Sequence, residues 1–123
     1  MELKGLNKLL KIKKNNAWKV LCELPDKIER FEIISDDKIV VQTHQGSGLT
    51  DDRNIFLVDL SGNVFWQIEK AESPPDPYHP GRPNPYCGFK YENGRLYAYS
   101  QFGFDYEVNL ENGKVSLIGF NRW

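Results

Sequence analysis

Residues 92–115 read ENGRLYAYSQFGFDYEVNLENGKV, and the reading of this stretch decides the fold. Asn93-Gly94 and Asn112-Gly113 are turn dipeptides whose residues accept the positive backbone angles that tight hairpins need. Between them, Arg95 to Gln101 and Phe104 to Leu110 are rich in aromatic and aliphatic residues, the side chains that pack well on a pleated surface. The stretch therefore predicts two strands with a turn on either side.

Working outward, an earlier segment repeats the pattern. Asp36-Asp37-Lys38-Ile39-Val40-Val41 answers Asn93-Gly94-Arg95-Leu96-Tyr97-Ala98, and Phe56 to Val64 answers Tyr106 to Val115. Each copy then reads as a four-stranded meander. The first has strands over residues 30–34, 38–43, 54–60 and 63–69, and the second over 86–91, 95–101, 104–110 and 114–120. Trp18 to Leu24 also alternates with period two and closes at Pro25-Asp26, so it is grouped with the first meander, taken as 17–70. The second meander is taken as 86–123. Between them, residues 71–85 hold six of the seven prolines; proline removes ladder donors, so this segment reads as an extended surface loop.

The lead, residues 1–16, is read differently. Leu3, Leu6, Leu9 and Leu10 recur at three- and four-residue spacing among lysines, which predicts a short amphipathic helix lying on the sheet as a lid. Six lysines against Glu2 up to Lys19 give this end about +5 within a chain of net charge -1, so the remainder is mildly acidic. The lysines are taken as a solvated face.

Val58-Asp59-Leu60-Ser61 followed by Gly62-Asn63-Val64-Phe65-Trp66 resembles the end of a β-propeller blade of the quinoprotein (PQQ-like) type, where an Asp, a turn and a Trp follow in order. Leu96-Tyr97-Ala98-Tyr99 is similar to the inner strand of such a blade. The resemblance implies blade-shaped repeats with Trp66 docked on a neighbouring blade. The second copy has Leu117 in place of the Trp, Asn109 in place of the Asp and Asn112 in the turn, so neither quinone nor dehydrogenase activity is carried over. Two blades fall short of the roughly four that close a propeller. The expected fold is thus mostly β, with two four-stranded antiparallel meanders packed as a sandwich or half-open barrel in a single domain.

A chain of 123 residues can bury a core of its own. Cys22 and Cys87 stand far apart in apolar surroundings and are read as two buried thiols. With His44 and His79 they match no zinc spacing, so no metal and no cofactor are expected. No signal peptide or membrane span is legible, and the expected compartment is the cytoplasm. Walker, dinucleotide and Gly-x-Ser-x-Gly motifs are absent from the sequence, so no catalytic residue is assigned.

Recognition is the stronger expectation. The aromatic residues exceed what one sheet interior needs, and Tyr78, His79 and Arg82 of the prolyl loop, Tyr86, Tyr97 and Tyr99 of the second meander, and His44, Asp51 and Asp52 around the open loop 45–52 are the candidate binding residues. The first functional reading is a protein-binding module, monomer or homodimer, that neutralises a partner toxin in the manner of immunity proteins, with no nucleic acid or membrane partner. The second is a binder of a sugar-like ligand through an aromatic face. The third is a hydrolase with its site between the meanders.

Overall fold

The computed structural model describes residues 2–44, 52–71 and 84–120. Within them run β1 (Glu2–Leu6), β2 (Leu9–Lys14), β3 (Ala17–Glu23), β4 (Ile28–Ile33), β5 (Lys38–Thr43), β6 (Ile55–Asp59), β7 (Val64–Gln67), β8 (Tyr86–Glu92), β9 (Arg95–Ser100), β10 (Phe104–Val108) and β11 (Val115–Phe120). They form three antiparallel sheets, ordered β1-β2-β3, β4-β5-β6-β7 and β11-β10-β9-β8. Both repeated meanders are present as read. Among the described residues there is no helix and no closed barrel.

The lead is where the sequence reading fails. Residues 2–14 form a β-hairpin rather than a helix, and the strand that follows completes a three-stranded sheet with it instead of joining the first meander. The cause lies in the asparagines. Asn7 sits at φ 56°, and Asn15 and Asn16 at 52° and 63°, the pair of positive angles that a two-residue hairpin turn demands and a right-handed helix forbids. An isolated helix of this length gains little in water, whereas the hairpin places Leu3, Leu10 and Ile12 on one face together.

Two compact units are distinguished, residues 2–44 with 55–66, and 52–54 with 67–71 and 84–120. In the first, buried Leu10, Leu24, Ile39, Val41, Phe56 and Val58 form one cluster, lined by Leu3, Leu21, Cys22, Ile28, Phe31 and Leu60. Each such side chain contributes about 1.5–3 kcal/mol on burial. The register explains the membership: Ile39 faces Val58 and Val41 faces Phe56 across β5 and β6, so all four lie on one side of their sheet. Gly5 is required here, because a Cβ would stand 2.9 Å from Ile28 Cγ2.

Asp59 closes the turn before β7, its carboxylate accepting the Ser61 and Asn63 amide protons at 2.9 Å each. Those bonds hold the carboxyl below its usual range, the Asn63 amide contributing most. Gly62 in this turn has φ 89°, and a Cβ there would collide with the Leu21 carbonyl of the adjoining sheet.

In the second unit, Tyr86, Phe89, Leu96, Ala98, Tyr106 and Val108 are buried on one face of the β8 to β11 sheet, the Tyr86 and Tyr106 rings meeting edge-on at 5.9 Å. Tyr86 is anchored at three points. Asn54 Nδ2 donates to its carbonyl, its own amide donates to Asn54 Oδ1, both at 2.8 Å, and its hydroxyl donates to the Glu69 carbonyl. The Asn54 amide thus imitates a strand partner for a backbone that would otherwise be buried without one.

Asn54→Ala strands both Tyr86 backbone groups and is expected to cost about 2–4 kcal/mol, read from urea unfolding midpoints. Gly62→Ala is expected to lower stability distinctly more than Gly94→Ala, since Gly94 shares a positive φ but has open space around it. Equal losses in the two glycine variants contradict the close approach at Leu21.

Candidate functional site

Strand alternation gives the last sheet a second, outward face. Tyr97 and Tyr99 stand there with Arg95 on β9, flanked by Lys90 and Glu92 on β8 and by Asp105 and Glu107 on β10. The tyrosines are half-buried. Two ion pairs frame them: Arg95 Nη1 lies 3.3 Å from Glu107 Oε1, and Lys90 Nζ lies 2.9 Å from Glu92 Oε2. Both pairs are exposed and contribute little to stability, so they order the surface more than they hold the fold. Burial pushes the Tyr99 hydroxyl above its ordinary pKa, while Lys90 opposes that shift and Asp105 adds to it.

At the end of this face is an open cleft of about 590 Å³, lined in part by Arg95, Glu107, Asn109, Glu111, Ser116 and Ile118. The cleft runs toward β11, an edge strand of the sheet. On β11, Leu117, Ile118 and Phe120 are exposed by half or slightly more, and the Phe120 ring lies against Phe104 at 5.0 Å. A bulge at Ile118 of β11, opposite Asp105 and Tyr106 of β10, interrupts the pairing, which weakens this edge as a template for adding another strand. What the edge offers is apolar side-chain surface.

The sequence-predicted binding residues do not gather at one place. Tyr97 and Tyr99 share the outward face, whereas Tyr86 is on the opposite one, fully buried. A bulge between Tyr86 and Gly88 moves Tyr86 out of phase with Gly88 and Lys90 and into the core, and burial drives its hydroxyl far above its ordinary pKa. As placed, Tyr86 serves packing. His44 Nδ1 lies 2.8 Å from Glu29 Oε1 in the first unit. Asp52, in the second unit, accepts the Asn84 amide proton at 3.2 Å and so braces the entry to β8. Asp51, Tyr78, His79 and Arg82 lie outside the described residues.

Both cysteines are free thiols, Cys22 half-buried and Cys87 exposed rather than buried as expected. Among the described residues no group of three or more His, Cys, Asp or Glu side chains is placed to hold a metal. Cys87 Sγ donates to the Tyr99 carbonyl at 3.4 Å, and desolvation raises its pKa.

A second surface escaped the sequence reading. In the β1 to β3 sheet, Lys4, Lys11 and Val20 form one cross-strand row, and Glu2, Lys13 and Trp18 another, on the face opposite Leu3, Leu10 and Ile12. Lys4 Nζ sits 4.2 Å from the Trp18 ring centroid and Lys13 Nζ 6.0 Å, both within cation–π range. The signal was present as Leu10-Lys11-Ile12-Lys13, a period-two run inside what leucine spacing alone makes a helix.

A family model described as Domain of unknown function (DUF7957) matches residues 6–120, and the chain belongs to that family. No curated protein matches it. Among solved structures, one titled "Crystal structure of the computationally designed Ika4 protein" matches with a TM-score of 0.60 at 10% identity, over 97% of this chain and 64% of that one. At that identity the likeness is one of fold alone, and the chain spans about 64% of the length of the protein it matches. Neither match extends the likeness to quinoprotein blades.

Only the thiolate attacks an alkylating reagent, and a raised pKa leaves less of it at a given pH. Cys87 is therefore expected to react with iodoacetamide at pH 8 several-fold more slowly than glutathione despite its exposure, and to gain rate as pH rises further. Labelling as fast as glutathione, followed by mass spectrometry, contradicts the thiol's placement against Tyr99.

Proposed function

We propose that this member of the family is a small protein-binding module, and that its partner docks on the outward face of the β8 to β11 sheet. The observation that carries the reading is the combination found there: Tyr97, Tyr99 and Arg95, with the exposed apolar Ile118 at the margin, where it lines one cleft with Arg95 and Glu107. Tyrosine and arginine are the residues that most often anchor protein interfaces, and they do so best next to apolar surface that a partner can dry. Neutralisation of a toxin, in the way of a stand-alone immunity protein, is the form of binding that a compact chain without a catalytic motif suits. As to shape, each four-stranded meander is read as blade-like, a reading supported by the Asp59 turn leading to buried Trp66.

A second reading has its own observation. The cleft of about 590 Å³ falls within the ordinary size of small-ligand sites, and Arg95, Glu107, Asn109 and Ser116 would hydrogen-bond a sugar-like molecule there, with Ile118 as its apolar wall.

The two readings separate experimentally. Immobilised wild-type protein is expected to retain a discrete partner from extracts of its native host, and Tyr97→Ala combined with Ile118→Glu to lose it by about 30-fold or more, with melting within a few degrees of wild type. Undiminished retention by the variant removes this face as the interface. A sugar that raises the melting temperature of the wild type but not of Glu107→Gln supports the second reading instead.

A further inference from the structure

We propose that the outward face of the β1 to β3 sheet is a docking surface for an anionic phospholipid bilayer. Lys4, Lys11 and Lys13 project from this one face because the opposite positions, Leu3, Leu10 and Ile12, are on the side that packs into the core. Lys8 stands in the β1–β2 turn at its end, whereas Lys14 and Lys19 fall on the opposite face with Ile12. Among the described residues on the face, carboxylates enter only at its margins, Glu2 at the start of β1 and Glu23 at the end of β3.

Charge alone would suit any polyanion; the apolar residues between the lysines select among them. Leu6 is 55% exposed, Val20 56% and Trp18 37%, all on this face. A phosphate backbone has no use for Leu6 and Val20. Binding a single strand by stacking calls for aromatic rings with free faces, and here there is one tryptophan with Lys4 already 4.2 Å above it. At a lipid surface the same groups each have a part. Leucine and valine enter the headgroup boundary, tryptophan settles at the interface, and lysines reach the anionic headgroups over apolar stems. Each lysine near such a surface is worth about fivefold in affinity, so three give on the order of a hundredfold preference for anionic over neutral lipid. The surface lies in the other compact unit from the tyrosine face and stands or falls independently of the partner proposed there.

The test is co-sedimentation of the full chain with vesicles of phosphatidylcholine alone and of phosphatidylcholine containing about one-third phosphatidylglycerol. Binding to the anionic vesicles alone is expected, weakening as salt is raised, with a blue shift of tryptophan emission that Trp18→Phe reduces. Lys11→Glu combined with Lys13→Glu is expected to weaken binding by at least about 30-fold while the melting transition is kept. Should that variant fail to fold, Val20→Asn, which leaves every charge in place, is expected to weaken binding several-fold. Equal binding to neutral vesicles, none to anionic ones, or wild-type binding by folded variants overturns the proposal. Preferential capture of a single-stranded oligonucleotide overturns it in favour of nucleic acid, and salt-sensitive self-association abolished by the same variants overturns it in favour of a second copy of the chain.

Discussion

The pleat of the β-strand is the constraint from which the rest follows. A strand offers its core only every second side chain, and the intervening ones must face elsewhere. Once Leu3 and Leu10 are committed to the cluster built on Ile39, Val41, Phe56 and Val58, and Ile12 is buried on the same side, Lys4, Lys11 and Lys13 have no choice of side. Once Leu96 and Ala98 are buried, Tyr97 and Tyr99 are turned outward. The surfaces that could recognise something are thus the complements of the cores. Where the alternation breaks, it breaks at bulges. An extra residue at Cys87 carries Tyr86 inward, and one at Leu21 keeps both Leu21 and Cys22 against the cluster of the first unit.

Much of this was legible in the sequence. The eight strands of the two meanders stand within a few residues of where the repeated turns put them, because Asn93-Gly94, Ser61-Gly62 and Asn112-Gly113 leave the backbone few alternatives. The lead was misread because Leu3, Leu6, Leu9 and Leu10 satisfy a helical spacing as well as they do two strands joined by a turn. The asparagines and the period-two run Leu10-Lys11-Ile12-Lys13 separate the two cases, and the weight of the asparagines shows in three positive φ values. The burial of Tyr86 was not legible at all. It depends on a bulge and on Asn54, 32 residues away, and neither a register shift nor a long-range amide pair leaves a local mark in composition.

The two outward surfaces differ in chemistry as well as in place. One is tyrosine-rich with its charges already paired, which suits a specific protein surface or a polyol. The other is a lysine face around one tryptophan with two exposed aliphatic side chains, Leu6 and Val20, and what it suits is a broad anionic surface with an apolar boundary. The network around Tyr86, with Asn54, Glu69 and Tyr106, keeps the tyrosine-bearing sheet in register.

That the lead is a strand hairpin with Lys4, Lys11 and Lys13 on one face is the claim on which this account turns, and cross-strand NMR contacts address it most directly. The account predicts backbone NOEs joining Lys4 to Lys11, Lys11 to Val20 and Lys13 to Trp18. Strong sequential amide contacts with i to i+3 NOEs across residues 3–14 would instead show a helix, scatter the lysines around it, and contradict both the core assignment and the basic face.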